Sequence, residues 1–308
     1  MKAVRLHGRG GPEQLVYEDA PPPEVRPTDA LVRVRATGIT PTELDWVETW
    51  ESGGRPRRFP IPGHELCGVV EEVPAGAPVS VGDEVYGLTE WDRDGTLAQY
   101  TAMRATDLAP KPVSVDHAAA ATLPLSALTA WQALVRHAGL AAGQTVLIHG
   151  AAGGVGSFAV QLARHLGARV VGTASPNNRG FVGDLGADDF VDYTATKFEK
   201  VVSDVDVVLD TVGGDTLARS FAVVRPGGTL VSIAEAPDPG RARERDVRAV
   251  FFIVEPSRPD LLEISRLVDG GRLRPIVSAV LPLAEARRAY EQGLGGHNRG
   301  KIVLLVDT

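Results

Sequence analysis

Cysteine is nearly absent: Cys67 is the single one in 308 residues. One thiol cannot close an internal disulfide, and it cannot build a four-cysteine zinc site. A reducing compartment fits that scarcity. Long apolar runs are also missing, and nothing approaches the length that crosses a bilayer. The opening MKAVRLHGRGG lacks the apolar core of a signal peptide. No basic block occurs, since Arg57 and Arg58 form only a local pair, and the net charge is −7. That balance argues against a nucleic-acid partner. No repeat or low-complexity tract interrupts the chain. With 44% hydrophobic and 23% charged residues, the composition is that of an ordinary globular protein. The expectation is a cytoplasmic protein with no membrane partner, long enough for two medium domains or one large one.

The first third reads as β structure. ALVRVRATGI (30–39) alternates apolar and charged residues, as a half-buried strand does, and CGVVEEV (67–73) and GDEVYGL (82–88) behave alike. Prolines at 21–23, 60, 62, 74 and 78 punctuate these runs. Near residue 114 the pattern changes, and residues 116–140 are rich in Ala and Leu and read as helices. Strand and helix then alternate. TVLIHG (145–150), RVVGTA (169–174), DVVLDTV (206–212), GTLVSIA (228–234) and VRAVFFIV (247–254) are the strands, and VGSFAVQLARHLG (155–167) is a helix stopped by Gly167. This alternation predicts a parallel, doubly wound sheet. PDPGRARERD (237–246) reads as a mobile loop. In the tail, 260–271 and 284–293 read as helices and 276–283 and 301–307 as strands, which return to the first domain.

The strongest motif is HGAAGGVGSFAVQLAR (149–164). It follows a strand and opens a helix, which is the context a dinucleotide fingerprint requires. Ala151, Gly153 and Gly156 match G-x-G-x-x-G with Ala in first place, and Gly154 and Val155 complete the turn. Gly153 lets backbone approach a pyrophosphate, and Gly156 lets the helix pack on the strand. The helix N-terminus supplies free N–H groups and the positive end of the dipole.

An NAD site places an acid on the ribose about 20 residues further on. The sequence there is GTASPNNRG (172–180), with no acid before Asp184. Ser175, Asn177, Asn178 and Arg179 are hydroxyl, amide and guanidinium donors, suited to a 2′-phosphate that a carboxylate would repel. The same SPNN run also makes a turn. The reading is NADPH.

Together these segments resemble the medium-chain dehydrogenase/reductase superfamily, in its zinc-independent, quinone oxidoreductase-like, NADP-dependent branch. The matching pieces are KAVRLHGRGGPEQL (2–15), VRVRATGI (32–39), GDEVYGL (82–88), GTLAQYTAM (95–103), LPLSALTAWQAL (123–134), HGAAGGVG (149–156), LDTVGGDTL (209–217), RPGGTLVSIA (225–234) and GKIVLLV (300–306). They keep the family's order over nearly the whole chain. The resemblance implies an α/β fold: a GroES-like β domain formed by both chain ends (1–118 and 276–308), with an inserted Rossmann doubly wound parallel-sheet domain (119–275) and the active site in the cleft. It places Tyr193 at the adenosine 2′-phosphate and Thr129 near the nicotinamide. Ile233 and Ala234 would lie on the cofactor's far side, with Gly300 and Lys301 closing over it. It also implies a homodimer joined at the edge of the last nucleotide-domain strand, for which VRAVFFIV is apolar enough.

PGHELCGVV (62–70) raises the question of a metal. Catalytic zinc needs three protein ligands and one open position. His64 matches the family's second ligand, but the first falls at Thr40 in GITPTEL and the third around Pro124 and Leu125, which offer no donor. Cys67 lies outside the pattern and reads as a small buried apolar residue. A His64–Glu65 pair still leaves the site short, so no metal is expected. Without zinc, alcohol oxidation loses its Lewis acid, whereas hydride transfer to a quinone or enone needs mainly positioning and stabilisation of the developing oxyanion. Thr40 stands where that branch commonly has Asn and retains a hydrogen bond to donate. Thr40, His64 and Thr129 are therefore the catalytic candidates. His64 reads equally as a relict ligand position that now walls a polar pocket. Glu43, Asp45 and Glu65 are further cleft candidates, with Glu43 and Asp45 read as solvated acids. Trp46, Trp50, Phe59 and Trp91 would give a flat apolar slot if they line the cleft, and ordinary packing otherwise.

Three functions follow from these residues. The first is an NADPH-dependent quinone or enone reductase acting on a small molecule. The second is an enoyl-thioester reductase, in which Arg55, Arg57 and Arg58 meet a phosphopantetheine or CoA phosphate. The third is an NADPH-binding sensor without turnover.

Overall fold

The computed structural model describes residues 1–296 and 298–306. They form two compact units. The first comprises Met1–Leu125, Glu255–Gly271 and the chain from Pro275 onward, and the second Ser126–Val254 with Arg272–Arg274.

The first unit is built on one sheet that takes strands from both chain ends. Its order is Val277–Pro282, Lys301–Leu305, Asp29–Gly38, Glu65–Glu72, Glu84–Leu88 and Ala109–Pro110, with Tyr100–Arg104 also paired to Asp29–Gly38. The first pair is parallel and the other pairs antiparallel. Val303 faces Gly38 across the ladder, so the tail of the chain closes beside a strand from its first forty residues. The alternation read in 30–39 is real: Ala30, Val32 and Val34 are buried in the core with Leu66, Val70, Leu97, Met103, Ile302 and Leu304. The last strand ends at Leu305, and the expected residue Asp307 lies outside the described residues.

The second unit is a six-stranded parallel sheet in the order Asp189–Asp192, Arg169–Ala174, Thr145–Ile148, Val205–Asp210, Val224–Ser232, Arg248–Phe251. Counted along the unit this is 3-2-1-4-5-6, the order of a dinucleotide-binding sheet whose switch point lies between the first and fourth strands. Val146, Leu147 and Ile148 are fully buried, as a central strand covered on both faces must be. The helix Gly154–His165 follows that strand and packs against Ser126–Trp131.

Three expectations need correction. Residues 237–246 are not a loop: Pro239–Glu244 is a short helix, with Asp238 accepting from the backbone N–H of Gly240 (2.7 Å) and Arg241 (2.9 Å) and Pro239 in the first turn. An Asp-Pro start is a helix signal that the run of charges hides. The strand expected over 247–254 stops at Phe251. The boundary at 275 is also displaced: the helix Arg258–Asp269 groups with the first unit, as the reading of a tail that returns to the first domain has it, although it falls within the 119–275 span. Ser265 Oγ donates to Tyr86 Oη (2.9 Å), and Asp269 Oδ1 accepts from Ser114 N–H (2.9 Å). Amphipathic spacing reveals a helix but not which neighbour its apolar face meets.

Candidate active site and cofactor site

The fingerprint turn is built around Gly150 rather than Ala151. Gly150 has φ +67, and a Cβ on it would collide with Thr211 Oγ1. Ala151 is fully buried, and its N–H donates to Thr173 O (3.0 Å), tying the first strand's end to the second strand. It therefore supports the turn from beneath. Gly156 sits where the helix meets that turn: a Cβ there would overlap Gly150 O and come within 2.8 Å of Ala151 Cα. Gly153 caps the helix in extended backbone, and its Cβ position meets only Gly150 O, at 3.3 Å. With Gly154 and Val155 beginning the helix, the free N–H groups of its first turn lie beside that open position. These residues fit the pyrophosphate of a nicotinamide dinucleotide.

Ala174 and Asp192 pair in register at the ends of the second and third strands, so Ser175 and Tyr193 emerge side by side. Ser175 Oγ accepts from Asn178 Nδ2 (3.0 Å), which shapes the turn Pro176–Asn178. Arg179 opens the next helix, exposed, with its guanidinium 4.5 Å from the Phe190 ring centroid. Tyr193 is 59% exposed. Asp192, which ends the third strand, accepts from Thr194 N–H (2.9 Å) and Oγ1 (2.7 Å). Ile233 and Ala234 follow the fifth strand, with Ile233 N–H donating to Asp210 O (3.1 Å). Thr129 is buried in Ser126–Trp131, within the nucleotide-binding unit.

Sequence reasoning missed two polar supports here. Asp210 is wholly buried; it accepts from Val212 N–H (3.2 Å), Gly213 N–H (3.0 Å) and Ser232 Oγ (3.0 Å), and burial raises its carboxyl. It fixes the turn after the fourth strand, beside Gly150. The signal was an acid ending an apolar strand just before Gly-Gly. His149 is buried between Thr173 Oγ1 and Ser220 Oγ, each 3.1 Å away. Ser220 spends its proton on Thr216 O (2.7 Å), so His149 Nε2 donates to Ser220 and Nδ1 accepts from Thr173. Burial pushes this imidazole down to about 3, which keeps it neutral.

The other catalytic candidates meet in a polar cluster inside the first unit. Thr40 leads into the short turn Pro41–Asp45, and its N–H donates to Glu43 Oε1 (3.3 Å). Glu43 Oε2 accepts from Gly63 N–H (3.1 Å) and lies 3.9 Å from His64 Nε2. Tyr290 Oη makes a short hydrogen bond to Glu43 Oε1. The reading of Glu43 as a solvated acid is therefore wrong: it is 1% exposed, while Asp45 is indeed exposed. Burial pushes Glu43 up to about 7, against the Tyr290 hydrogen bond and the Lys301 charge. The Thr-Pro-x-Glu spacing, a helix-start pattern, was the available signal. His64 is buried, with Nδ1 3.1 Å from Thr89 Oγ1, and burial with nearby Arg57 drives it down to about 3. Glu65 is buried and ion-paired to the Lys301 ammonium, which also donates to Thr40 Oγ1 (2.9 Å). Burial raises Glu65, and Lys301 pulls the other way. The structure thus gives Lys301 partners on the Thr40 side, in its own unit.

These residues do not fit a catalytic zinc. The ammonium of Lys301 already lies on Thr40 and Glu65, and a second cation there would be repelled. Cys67 has Lys111, Glu84 and Asp116 as its charged neighbours, and burial pushes its thiol up, so no thiolate is on offer. Among the described residues, no group of three His, Cys, Asp or Glu side chains could hold a metal. Of the aromatic candidates, Trp46 and Trp91 gather on His64, with ring centroids 6.0 and 4.6 Å from it. Trp50 instead donates to Leu44 O (2.7 Å), and Phe59 packs by His7. Arg57 is held by Asp94 (2.7 Å) and Glu48 O (3.1 Å), which leaves Arg55 and Arg58 as the exposed members of the basic hairpin.

Comparison with known proteins agrees with this architecture. The model of the alcohol dehydrogenase GroES-like domain matches residues 26–113, and that of the zinc-binding dehydrogenase family matches 185–304. A probable mitochondrial zinc-binding oxidoreductase of Arthroderma benhamiae is 34% identical over 95% of this chain and 92% of its own. The chloroplastic NADPH-dependent alkenal/one oxidoreductase of Arabidopsis thaliana is 31% identical over 99% of this chain and 79% of its own. The solved quinone oxidoreductase of Coxiella burnetii superposes with a TM-score of 0.91 at 31% identity, covering 100% of this chain and 99% of that one. The chain belongs to the medium-chain dehydrogenase/reductase superfamily, in its quinone oxidoreductase-like branch, and is an oxidoreductase. Among the described residues, no helix is long and apolar enough to cross a membrane.

Proposed function

We propose that this protein is a zinc-independent, NADPH-dependent reductase of quinones or α,β-unsaturated carbonyls, a cytoplasmic homodimer acting on a small molecule. The observation that carries the reading is the Lys301 ammonium on Thr40 Oγ1 (2.9 Å), where metal-dependent relatives place their first ligand. A fixed buried cation and a hydroxyl take the place of a Lewis acid. When bound, the reduced nicotinamide supplies a hydride. Thr40 offers a hydrogen bond to the substrate oxygen as it gains charge, and the nearby ammonium favours that charge. His64, held neutral, stacks on Trp46 with 19° between the rings, and Trp91 stands edge-on to Trp46, so the three form an aromatic corner against which a conjugated acceptor would pack. Thr129 serves on the nicotinamide side. The proton that completes the reduction comes from water. The alkenal/one and quinone oxidoreductase relatives support this substrate class.

The test is the oxidation of NADPH with quinones, small enones and a crotonyl thioester. Turnover with the first two and not the third is expected, and no turnover with any of them would leave only a cofactor-binding sensor. For the coenzyme, Arg179 and Asn178 stand for the 2′-phosphate. Arg179→Glu should weaken NADPH by about 10- to 100-fold, the loss of one charge-assisted hydrogen bond plus a repulsion. NADH should change by less than about twofold, since it has no phosphate there. Equal losses in a fluorescence titration would remove Arg179 from that role. The edge strand Arg248–Phe251, with Phe251 42% exposed and Ile253 just beyond it 58% exposed, supports pairing of two copies. Sedimentation should give twice the chain mass, and Phe251→Lys should give the monomer.

A further inference from the structure

We infer that the helix Ala286–Leu294, acting through Tyr290 and Glu43, is the element that positions Thr40 and His64. The inference rests on the proposed role of those two residues. Glu43 bonds to backbone on both sides of the site: the N–H of Thr40 itself (3.3 Å) and that of Gly63 (3.1 Å), the residue before His64. The same carboxylate lies 3.9 Å from His64 Nε2. Both Glu43 oxygens accept here, and all three groups that bond to them, the two backbone N–H groups and a phenol, have a proton to donate. The third donor is Tyr290 Oη, and Tyr290 is fully buried. The Glu43 backbone is pinned as well, since Thr49 Oγ1 donates to its carbonyl (2.6 Å).

The helix also touches the site by packing. Gly293 has no room for a side chain: a Cβ there would overlap Pro41 Cγ, and Pro41 directly follows Thr40. The helix therefore meets the Thr40 turn at two places, one polar and one by close contact. Glu65 and Lys301 secure Thr40 from its other side. None of Tyr290, Gly293 and Glu43 needs to touch a substrate for this role, so they are positioning residues. A tyrosine used only for packing would fill the same volume as phenylalanine. Here the hydroxyl fixes which rotamer Glu43 keeps, and through it the distance between the Thr40 and Gly63 backbones.

Tyr290→Phe removes only that hydroxyl and keeps the ring in its place. The expected result is a fall in kcat of about tenfold or more with the enone substrate, with the NADPH dissociation constant changed by less than about twofold. In a Thr40→Val background the same substitution should cost almost nothing further, because both act at one point. Gly293→Ala, which presses on Pro41, should show the same split between kcat and NADPH binding. The NMR signal of the His64 ring should shift in Tyr290→Phe with no substrate present. A folded Tyr290→Phe protein with unchanged kcat would overturn the inference, as would equal losses with and without the Thr40 hydroxyl. If the wild type turns over no acceptor, the proposed function fails by itself. An unmoved His64 signal would then overturn the positioning role independently.

Discussion

Gly156→Ala should cost the nucleotide-binding unit its fold, whereas Gly153→Val should cost only its cofactor. The two glycines are three residues apart, one the cap and the other in the first turn of the same helix, and their surroundings differ completely. A methyl group on Gly156 overlaps the carbonyl of Gly150 and approaches Ala151 Cα to 2.8 Å, and both obstacles are backbone. Neither can rotate away, so the helix Gly154–His165 must lift from the strand it covers. Overpacking against backbone at a buried helix–strand contact costs on the order of 3 kcal/mol or more. On Gly153 the corresponding methyl meets one atom at 3.3 Å, and the backbone there is extended, with φ −75, as valine readily adopts. The valine therefore stands over the helix N-terminus, where a pyrophosphate would lie. Its expected effect is a loss of about 100-fold or more in affinity for NADPH and NADH alike, since both share the pyrophosphate. Thermal melts beside a fluorescence titration separate the cases. Gly153→Val should melt close to the wild type and fail to bind, and Gly156→Ala should melt early or not express. If Gly153→Val bound NADPH normally, the loop would not be the pyrophosphate site.

The second large effect concerns pH. Glu43 is pushed from its ordinary 4.5 up to about 7 by burial. Between those values the folded protein holds a proton that the unfolded chain has already released. Its contribution to stability is therefore full at low pH and is lost as pH rises from about 4.5 to 7, by on the order of 3 kcal/mol. His64 and His149 act in the opposite sense. Burial drives each from 6.5 to about 3, so each favours the folded state increasingly as pH rises between those values. The wild-type profile is the sum of these opposed slopes. Glu43→Gln removes one of them and keeps the others. Relative to wild type, the Gln variant should gain stability as pH rises from about 5 to 8, and paired denaturant titrations measure the difference. A difference that does not change with pH would mean that Glu43 is ionised throughout.

Much of the fold was legible because its cues are local and periodic. The alternation in 30–39, the apolar run at 145–148 and the Gly turn before a helix each name their element, and their order along the chain carries the family resemblance. The glycine turn itself was legible as the start of a helix, and within it the residue with positive φ is Gly150, followed by a buried Ala151. The polar cluster was far less legible. Thr40, Glu43, Gly63, Glu65, Tyr290 and Lys301 come from three distant parts of the chain, and nothing at residue 43 shows that a tyrosine 247 residues later will reach it. An acid near a turn reads as solvated, because solvation is the common outcome. The Arg258–Asp269 helix shows the same limit, since its own sequence does not say which unit it covers.

The central claim is a hydride transfer from NADPH that needs no metal. Its most direct measurement is the steady-state rate of enone reduction by protein stripped with a chelator, with NADPH and NADH compared as donors. Turnover that survives chelation, with kcat/KM favouring NADPH by about tenfold or more, is the predicted result. Activity that disappears on chelation and returns with one equivalent of zinc would contradict it.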